Sequence, residues 1–248
     1  DLDGTLLNGE SKVDVATAKA IQTLKNNGYE PFIATGRSSA ETRDIMESAN
    51  IHSGIFMNGQ VVLYQGKRVY SSEIPTEMVK KFHQMVKEDG YGFTAYNDKE
   101  FYLVESTDGA KDAYGFIHTN PPALNADFYI DNPINMLLFI CLPPAEEKYK
   151  VAFPNLDFLR NTPYSVDVIS KGNSKAEGIK RFLEYLNQED AETYAFGDGP
   201  NDIEMLQAVT HPVAMGNAIP VLKELAEFIT TNNTDNGIIN GLKHYGLI

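Results

Sequence analysis

Between Asp1 and Met57, and again from Lys171 to the C-terminus, short apolar runs alternate with amphipathic helical stripes. That alternation constrains the fold more than any other feature of the chain. Val15, Ala18, Ile21 and Leu24 predict one helical face, with Gly28 as its C-cap. Glu30–Ala34 reads as a short buried strand that ends at Thr35-Gly36-Arg37. Ser38 or Ser39 is then expected to cap a helix carrying Ile45, Met46 and Ala49. Gly54–Met57 is the next strand, and it ends at Asn58-Gly59. Strands and helices joined by short loops mean βαβ units and a parallel sheet. Such sheets bind ligands beyond the carboxyl ends of their strands, where these polar turns fall.

The pattern changes in the middle of the chain. Val61–Leu63 and Arg68–Tyr70 predict a hairpin. A helix with Met78, Val79, Phe82, Met85 and Val86 follows, then a second hairpin from Gly92–Tyr96 and Glu100–Val104. A helical stretch from Ala110 to His118, the apolar strand 134–142 and an antiparallel pair, Leu156–Arg160 with Ser165–Ile169, complete an α+β insert with its own sheet. The expected organisation is therefore α/β. A Rossmann-like parallel-sheet core is formed by 1–75 and 171–248, and an α+β cap domain, 76–170, is inserted into it. After the insert, Ser174 and Glu177 form a capping box ahead of the stripe Ile179, Phe182, Leu183, Leu186. Thr193–Phe196 is a strand running into Gly197-Asp198.

Composition narrows the function classes. With 248 residues and 42% hydrophobic content, the chain can bury a sizeable core. Lys+Arg 21 against Asp+Glu 34 gives a net charge of −13, which argues against a nucleic-acid backbone as partner. It leaves room for a small anionic substrate held by a metal and a few cations. The single cysteine, Cys141, lies in an apolar run and reads as core filling. No stretch is long and apolar enough to span a bilayer, and no signal peptide is visible, so a cytoplasmic protein is expected. The five histidines, at 52, 83, 118, 211 and 244, show no metal-ligand spacing. Asp1 stands where a buried strand should end, so a hydrophobic strand is expected ahead of it. A monomer is compatible with all of this.

The chemistry-bearing segments are Asp1-Leu2-Asp3-Gly4-Thr5-Leu6 and Gly197-Asp198-Gly199-Pro200-Asn201-Asp202. Two carboxylates two residues apart in a glycine-closed turn can share a site with the carbonyl between them. A second acidic cluster would complete an all-oxygen cage for a hard cation such as Mg²⁺. Either cluster alone is ordinary turn chemistry. Their weight comes from the polar turns between them, at Thr35-Gly36-Arg37, Asn58-Gly59 and Lys175.

This set, with Ala-Thr-Gly-Arg, Met-Asn-Gly, Ser-Lys-x-x-Gly-Ile and Gly-Asp-Gly-x-Asn-Asp in that order, resembles the haloacid dehalogenase superfamily, in particular its Cof-type sugar-phosphatase branch. The resemblance implies a Mg²⁺-dependent phosphatase that hydrolyses a small phosphorylated metabolite, such as a sugar phosphate, through an aspartyl-phosphate. It implies Asp1 as nucleophile and Asp3 as general acid–base. Thr35 and Lys175 would hold the phosphoryl group, and Gly36, Arg37, Asn58, Gly59 and Asn201 would line the substrate side. The metal group is Asp1, Asp3 through its carbonyl, Asp198 and Asp202, with Asp202 and Asn201 orienting metal waters and Lys175. Bland alternatives stand beside these roles: Arg37 as a surface ion pair, Asn58 as a strand-end hydrogen-bonder, Lys171 in place of Lys175. At the level of function the alternatives are a sugar-phosphate phosphomutase and a non-catalytic phospho-ligand-binding regulator.

Overall fold

The computed structural model describes residues 1–117, 119–160 and 162–248. His118 lies outside the described residues. The chain forms two compact units. One comprises Asp1–Arg37, Glu41–Tyr70 and Ser174–Ile248; the other comprises Ser38–Ala40 and Ser71–Asn173.

In the first unit the chain runs through α1 (Val15–Asn26), β1 (Ile33–Ala34), α2 (Arg43–Ala49), β2 (Gly54–Phe56), β3 (Val61–Tyr64) and β4, whose range Lys67–Ser71 reaches the unit boundary. The second unit holds α3 (Thr76–Asp89), β5 (Gly92–Tyr96), β6 (Phe101–Glu105), α4 (Ala110–Phe116), α5 (Phe128–Asp131), β7 (Met136–Ile140), α6 (Glu146–Ala152), β8 (Leu156–Leu159) and β9 (Ser165–Ser170). Returning to the first unit are α7 (Lys175–Leu186), β10 (Tyr194–Gly197), α8 (Ile203–Ala208), β11 (His211–Ala214), α9 (Pro220–Leu225), β12 (Phe228–Ile229) and α10 (Gly237–His244).

The first unit carries two sheets, ordered β1-β2-β3-β4 and β10-β11-β12. β1 runs parallel to β2, with Ile33 opposite Gly54, and β10, β11 and β12 are parallel throughout. β3 turns back antiparallel on β2. The free edges of β1 and β10 both line a cleft of about 400 Å³. Ile33 and Ala34 stand on one side, Ala195 and Phe196 on the other, with Ile21 of α1 and Phe182 of α7 closing it. The fold is thus an α/β, Rossmann-like core with an inserted second unit.

Helix α7 shows why the local sequence folds as it does. The Ser174 hydroxyl accepts the Glu177 N–H at 3.2 Å, satisfying one of the helix's orphan donors. Ile179 and Phe182 are buried and Leu183 and Leu186 pack beside them. Each fully buried side chain of this size contributes about 1.5–3 kcal/mol. At Gly178 a Cβ would come within 2.4 Å of Ile55, so the missing side chain lets α7 lie close on β2.

Two local expectations need correction. The buried face of α1 is Thr17, Ala20, Ile21 and Leu24, while Val15 is 72% exposed. The helix begins at Val15, so the solvent-facing side of its first turn falls there and the apolar arc is rotated. α2 starts at Arg43 after Thr42, with neither Ser38 nor Ser39 as its cap. Ser39 instead donates its hydroxyl to the Asp98 carbonyl at 2.6 Å, within the second unit.

The second unit is a five-stranded antiparallel sheet, β6-β5-β7-β9-β8. Phe82 of α3 centres its core, with Phe93, Phe139, Tyr149 and Phe153 rings 5.3–5.5 Å away. Cys141 is buried, and burial pushes its thiol up to about 11, although Arg160 opposes this. It is core filling, as its apolar run predicts. Arg160 forks onto Glu146, with contacts of 2.6 and 2.7 Å. Inside this unit Asn135 donates to both the Ser71 hydroxyl and the Ser72 carbonyl, fixing the start of the insert. Among the described residues no helix is long and apolar enough to cross a membrane.

Candidate active site

The turn that begins the chain is built around two backbone facts. The Leu7 N–H donates to the Leu2 carbonyl at 2.9 Å, and Gly4 between them has φ +76°. A Cβ at Gly4 would sit 2.2 Å from Oδ2 of Asp198, so glycine lets the second acidic segment close on the first. Thr5 donates its hydroxyl to Oδ1 of Asp198 at 2.7 Å. The Asp1 backbone nitrogen donates to the Phe196 carbonyl at 3.0 Å, tying the turn to the end of β10.

Lys175 is the first residue of α7 and is fully buried. Its Nζ donates to Oδ1 of Asp1 at 2.6 Å and to Oδ1 of Asp202 at 2.7 Å. The other oxygen of Asp202 accepts the N–H groups of Asp198 and Gly199 at 2.9 and 3.0 Å. Burial pushes Lys175 below the ordinary lysine value, opposed by the Asp202 charge. Burial alone would raise Asp202; the Lys175 charge and these hydrogen bonds oppose it, and Asp202 is held low. Asp198 is pushed up, chiefly by burial, against the Thr5 hydrogen bond.

Oxygens of Asp1, Asp198 and Asp202 all lie within 4.8 Å of one another. Three carboxylates beside one ammonium leave net negative charge at a partly buried point. Oxygen-only donors suit a hard divalent cation. Asp1 and Asp198 fit that role best, because both oxygens of Asp202 are already engaged by Lys175 and backbone donors.

The remaining residues surround this cluster unequally. Thr35 is buried at the end of β1, where its hydroxyl accepts the Arg37 N–H at 3.1 Å and its carbonyl accepts the Asn58 N–H at 3.0 Å. Gly36 lies between them in the same turn. Arg37 reaches Asp3 as a two-pronged fork: Nε donates to Oδ2 at 2.8 Å and Nη2 donates to Oδ1. Asn58 has φ +53° and accepts from the Asn201 amide at 3.4 Å, bringing two of the expected substrate-side residues together. Gly59 has φ +93°, and a Cβ there would come within 2.2 Å of the Ser174 carbonyl. Lys171 lies in the other unit, with its Nζ on the Pro154 carbonyl.

Two positioning residues carry no signal of their own in the sequence. Thr5 lies inside the first motif, and its role is set by its contact with Asp198. Asn217 donates to the Gly4 carbonyl at 2.8 Å and accepts the Asn233 N–H at 3.0 Å, bracing the turn from the far side. The only signal in the sequence is a Gly216-Asn217 pair after β11, which is common turn chemistry.

The profile of the haloacid dehalogenase-like hydrolases matches residues 1–242, an assignment that agrees with this geometry. The chain belongs to this family. YkrA of Bacillus subtilis (strain 168), provisionally named a phosphatase, is 36% identical over 250 residues, covering 100% of this chain and 96% of YkrA. Among solved structures, the haloacid dehalogenase-superfamily phosphatase BT1666 of Bacteroides thetaiotaomicron superposes with TM-score 0.90 at 28% identity, covering 100% of this chain and 94% of that one. The subclass IIB sugar phosphatase BT4131 gives TM-score 0.86 at 28% identity, covering 100% and 98%. The chain is a Cof-type member of the superfamily and an enzyme of its phosphatase group.

Proposed function

We propose that the protein is a divalent-metal-dependent phosphatase of a small phosphorylated metabolite, with a sugar phosphate as the preferred class. The observation that carries the reading is the Asp1 carboxylate, held 2.6 Å from the buried Lys175 ammonium and within 4.8 Å of Asp198 and Asp202. A carboxylate is already ionised at neutral pH, so it is a ready nucleophile once its repulsion with phosphate is offset. The kinship with the sugar phosphatase BT4131 supports the substrate class.

Asp1 attacks phosphorus, the bond from phosphorus to the leaving oxygen breaks, and an aspartyl-phosphate forms. Asp3, whose oxygens both accept from Arg37 at rest, first takes up a proton from solvent and gives it to the departing alkoxide. In the second half Asp3 takes a proton from water, the hydroxide attacks phosphorus, the Asp1–phosphorus bond breaks, and Asp3 returns its proton to solvent. General acid–base help of this kind is worth about 10²–10⁴-fold. Thr35 and Lys175 hold the phosphoryl oxygens, with Lys175 placed at the start of α7, where the helix dipole favours an anion. Arg37, Gly36, Asn58, Gly59 and Asn201 form the substrate side.

Asp1, the Asp3 carbonyl and Asp198 are the groups that would hold Mg²⁺; bound there, the ion would supply the positive charge that offsets carboxylate–phosphate repulsion. Asp202 orients Lys175 and the 198–199 backbone from behind. The test is a panel of phosphate esters assayed with Mg²⁺ and ranked by kcat/KM, with Asp1→Asn as control. Expected are phosphate release from a compact sugar phosphate, its loss in Asp1→Asn, and its loss in excess EDTA. Release that survives either change would overturn the mechanism, and an isomerised ester without free phosphate would make the protein a mutase.

A further inference from the structure

The Arg37–Asp3 pair is an unusual arrangement for a residue that must pass protons. Both oxygens of Asp3 are engaged by one guanidinium fork. Asp3 is 56% exposed at its side chain, so packing does not fix its rotamer and Arg37 does. Arg37 is asymmetric in the opposite sense. Its backbone is pinned on both sides, its N–H to the Thr35 hydroxyl and its carbonyl by the Met57 N–H, while its side chain is 30% exposed. Only Nε and one N–H of Nη2 are used by Asp3. Among the described residues the other three guanidinium N–H groups have no partner.

The magnitudes favour exchange. An ion pair this exposed contributes little, because solvent screens it. A phosphate dianion offers a guanidinium a stronger two-pronged, charge-assisted partner than a carboxylate does. We propose that Arg37 is a shared guanidinium: at rest it parks Asp3, and an arriving phosphate takes it over and frees Asp3 for proton transfer. This rests on the phosphatase reading and adds to it a coupling between anion binding and the release of the proton-handling residue. Arg37 is thereby a positioning residue for Asp3 and a ligand for the substrate in turn.

The coupling is measurable without turnover. Inorganic phosphate is titrated calorimetrically, with Mg²⁺ present, into the wild-type protein, Asp3→Asn, Arg37→Gln and the double variant. Asp3→Asn removes both a like charge and the competitor for Arg37. In the Arg37 background it is expected to tighten phosphate at least about fivefold more than in the Arg37→Gln background, where only the lost charge repulsion remains. Effects that multiply to within about twofold of additivity would overturn the proposal. If Arg37→Gln does not fold, Arg37→Lys keeps the charge but lacks the fork and closes the same cycle; a coupling below about twofold there is equally fatal. If folded wild-type protein and all variants fail to bind phosphate, the phosphatase reading falls together with the exchange. Binding with additive effects removes the exchange alone.

Discussion

Nζ of Lys175 lies 2.6 Å from Oδ1 of Asp1, with the lysine side chain fully buried and the aspartate nearly so. The same ammonium holds Asp202, so one cation serves two carboxylates that the chain places 201 positions apart by number. Replacing Lys175 by Met leaves three converging carboxylates without their nearest cation. Breaking a buried pair in this way costs about 3–5 kcal/mol. The expected result is a large fall in the urea midpoint together with loss of phosphatase activity. Added Mg²⁺ should recover more stability in this variant than in the wild-type protein. Equal stabilisation of both by Mg²⁺ would mean that lysine and metal do not share the same charge.

Gly59→Ala should be disruptive although it adds a single methyl. Its φ of +93° disfavours any side chain, and the new Cβ would collide with the Ser174 carbonyl at 2.2 Å. That carbonyl precedes Lys175, so the displacement would pass directly to the site. A loss of about 1–3 kcal/mol is expected, with kcat lowered more than KM is raised. Gly66, at φ +75° with nothing within 4 Å, is the control: its Ala variant should lose stability without the kcat defect.

The Glu146–Arg160 fork gives the inserted unit an acid-sensitive tie. The Arg160 hydrogen bond holds Glu146 below the ordinary glutamate value, against burial. A depressed folded value means the stabilisation is complete above the unfolded value, about 4.3, and is lost as pH falls through the folded one. Glu146→Gln should therefore be destabilising near neutrality, by about 1.5–3 kcal/mol for a charge-assisted hydrogen bond, and the gap from wild type should close below pH 4. Chemical denaturation at pH 7 and pH 3 checks it; a gap independent of pH would contradict the assignment.

The alternation of apolar runs and stripes carried the α/β core, and the hairpin grammar of 76–170 carried the antiparallel insert, because both depend on local periodicity. The order of Asp-x-Asp-Gly, Thr-Gly-Arg, Asn-Gly, Ser-Lys and Gly-Asp-Gly marked most of the site for the same reason: each is a short turn whose residue types are set by backbone geometry. Helix starts were less legible. α2 begins at Arg43 and the buried arc of α1 avoids Val15, since a cap or face is decided by what packs against it. Only the tertiary structure could show that Thr5 and Asn217 brace the acidic turn, that Lys175 spans Asp1 and Asp202, and that Arg37 holds Asp3. Those contacts join residues 27 to 213 positions apart. Sequence periodicity reports only which face a residue takes within its own element. It says nothing about which distant polar group will stand 3 Å away once two elements pack.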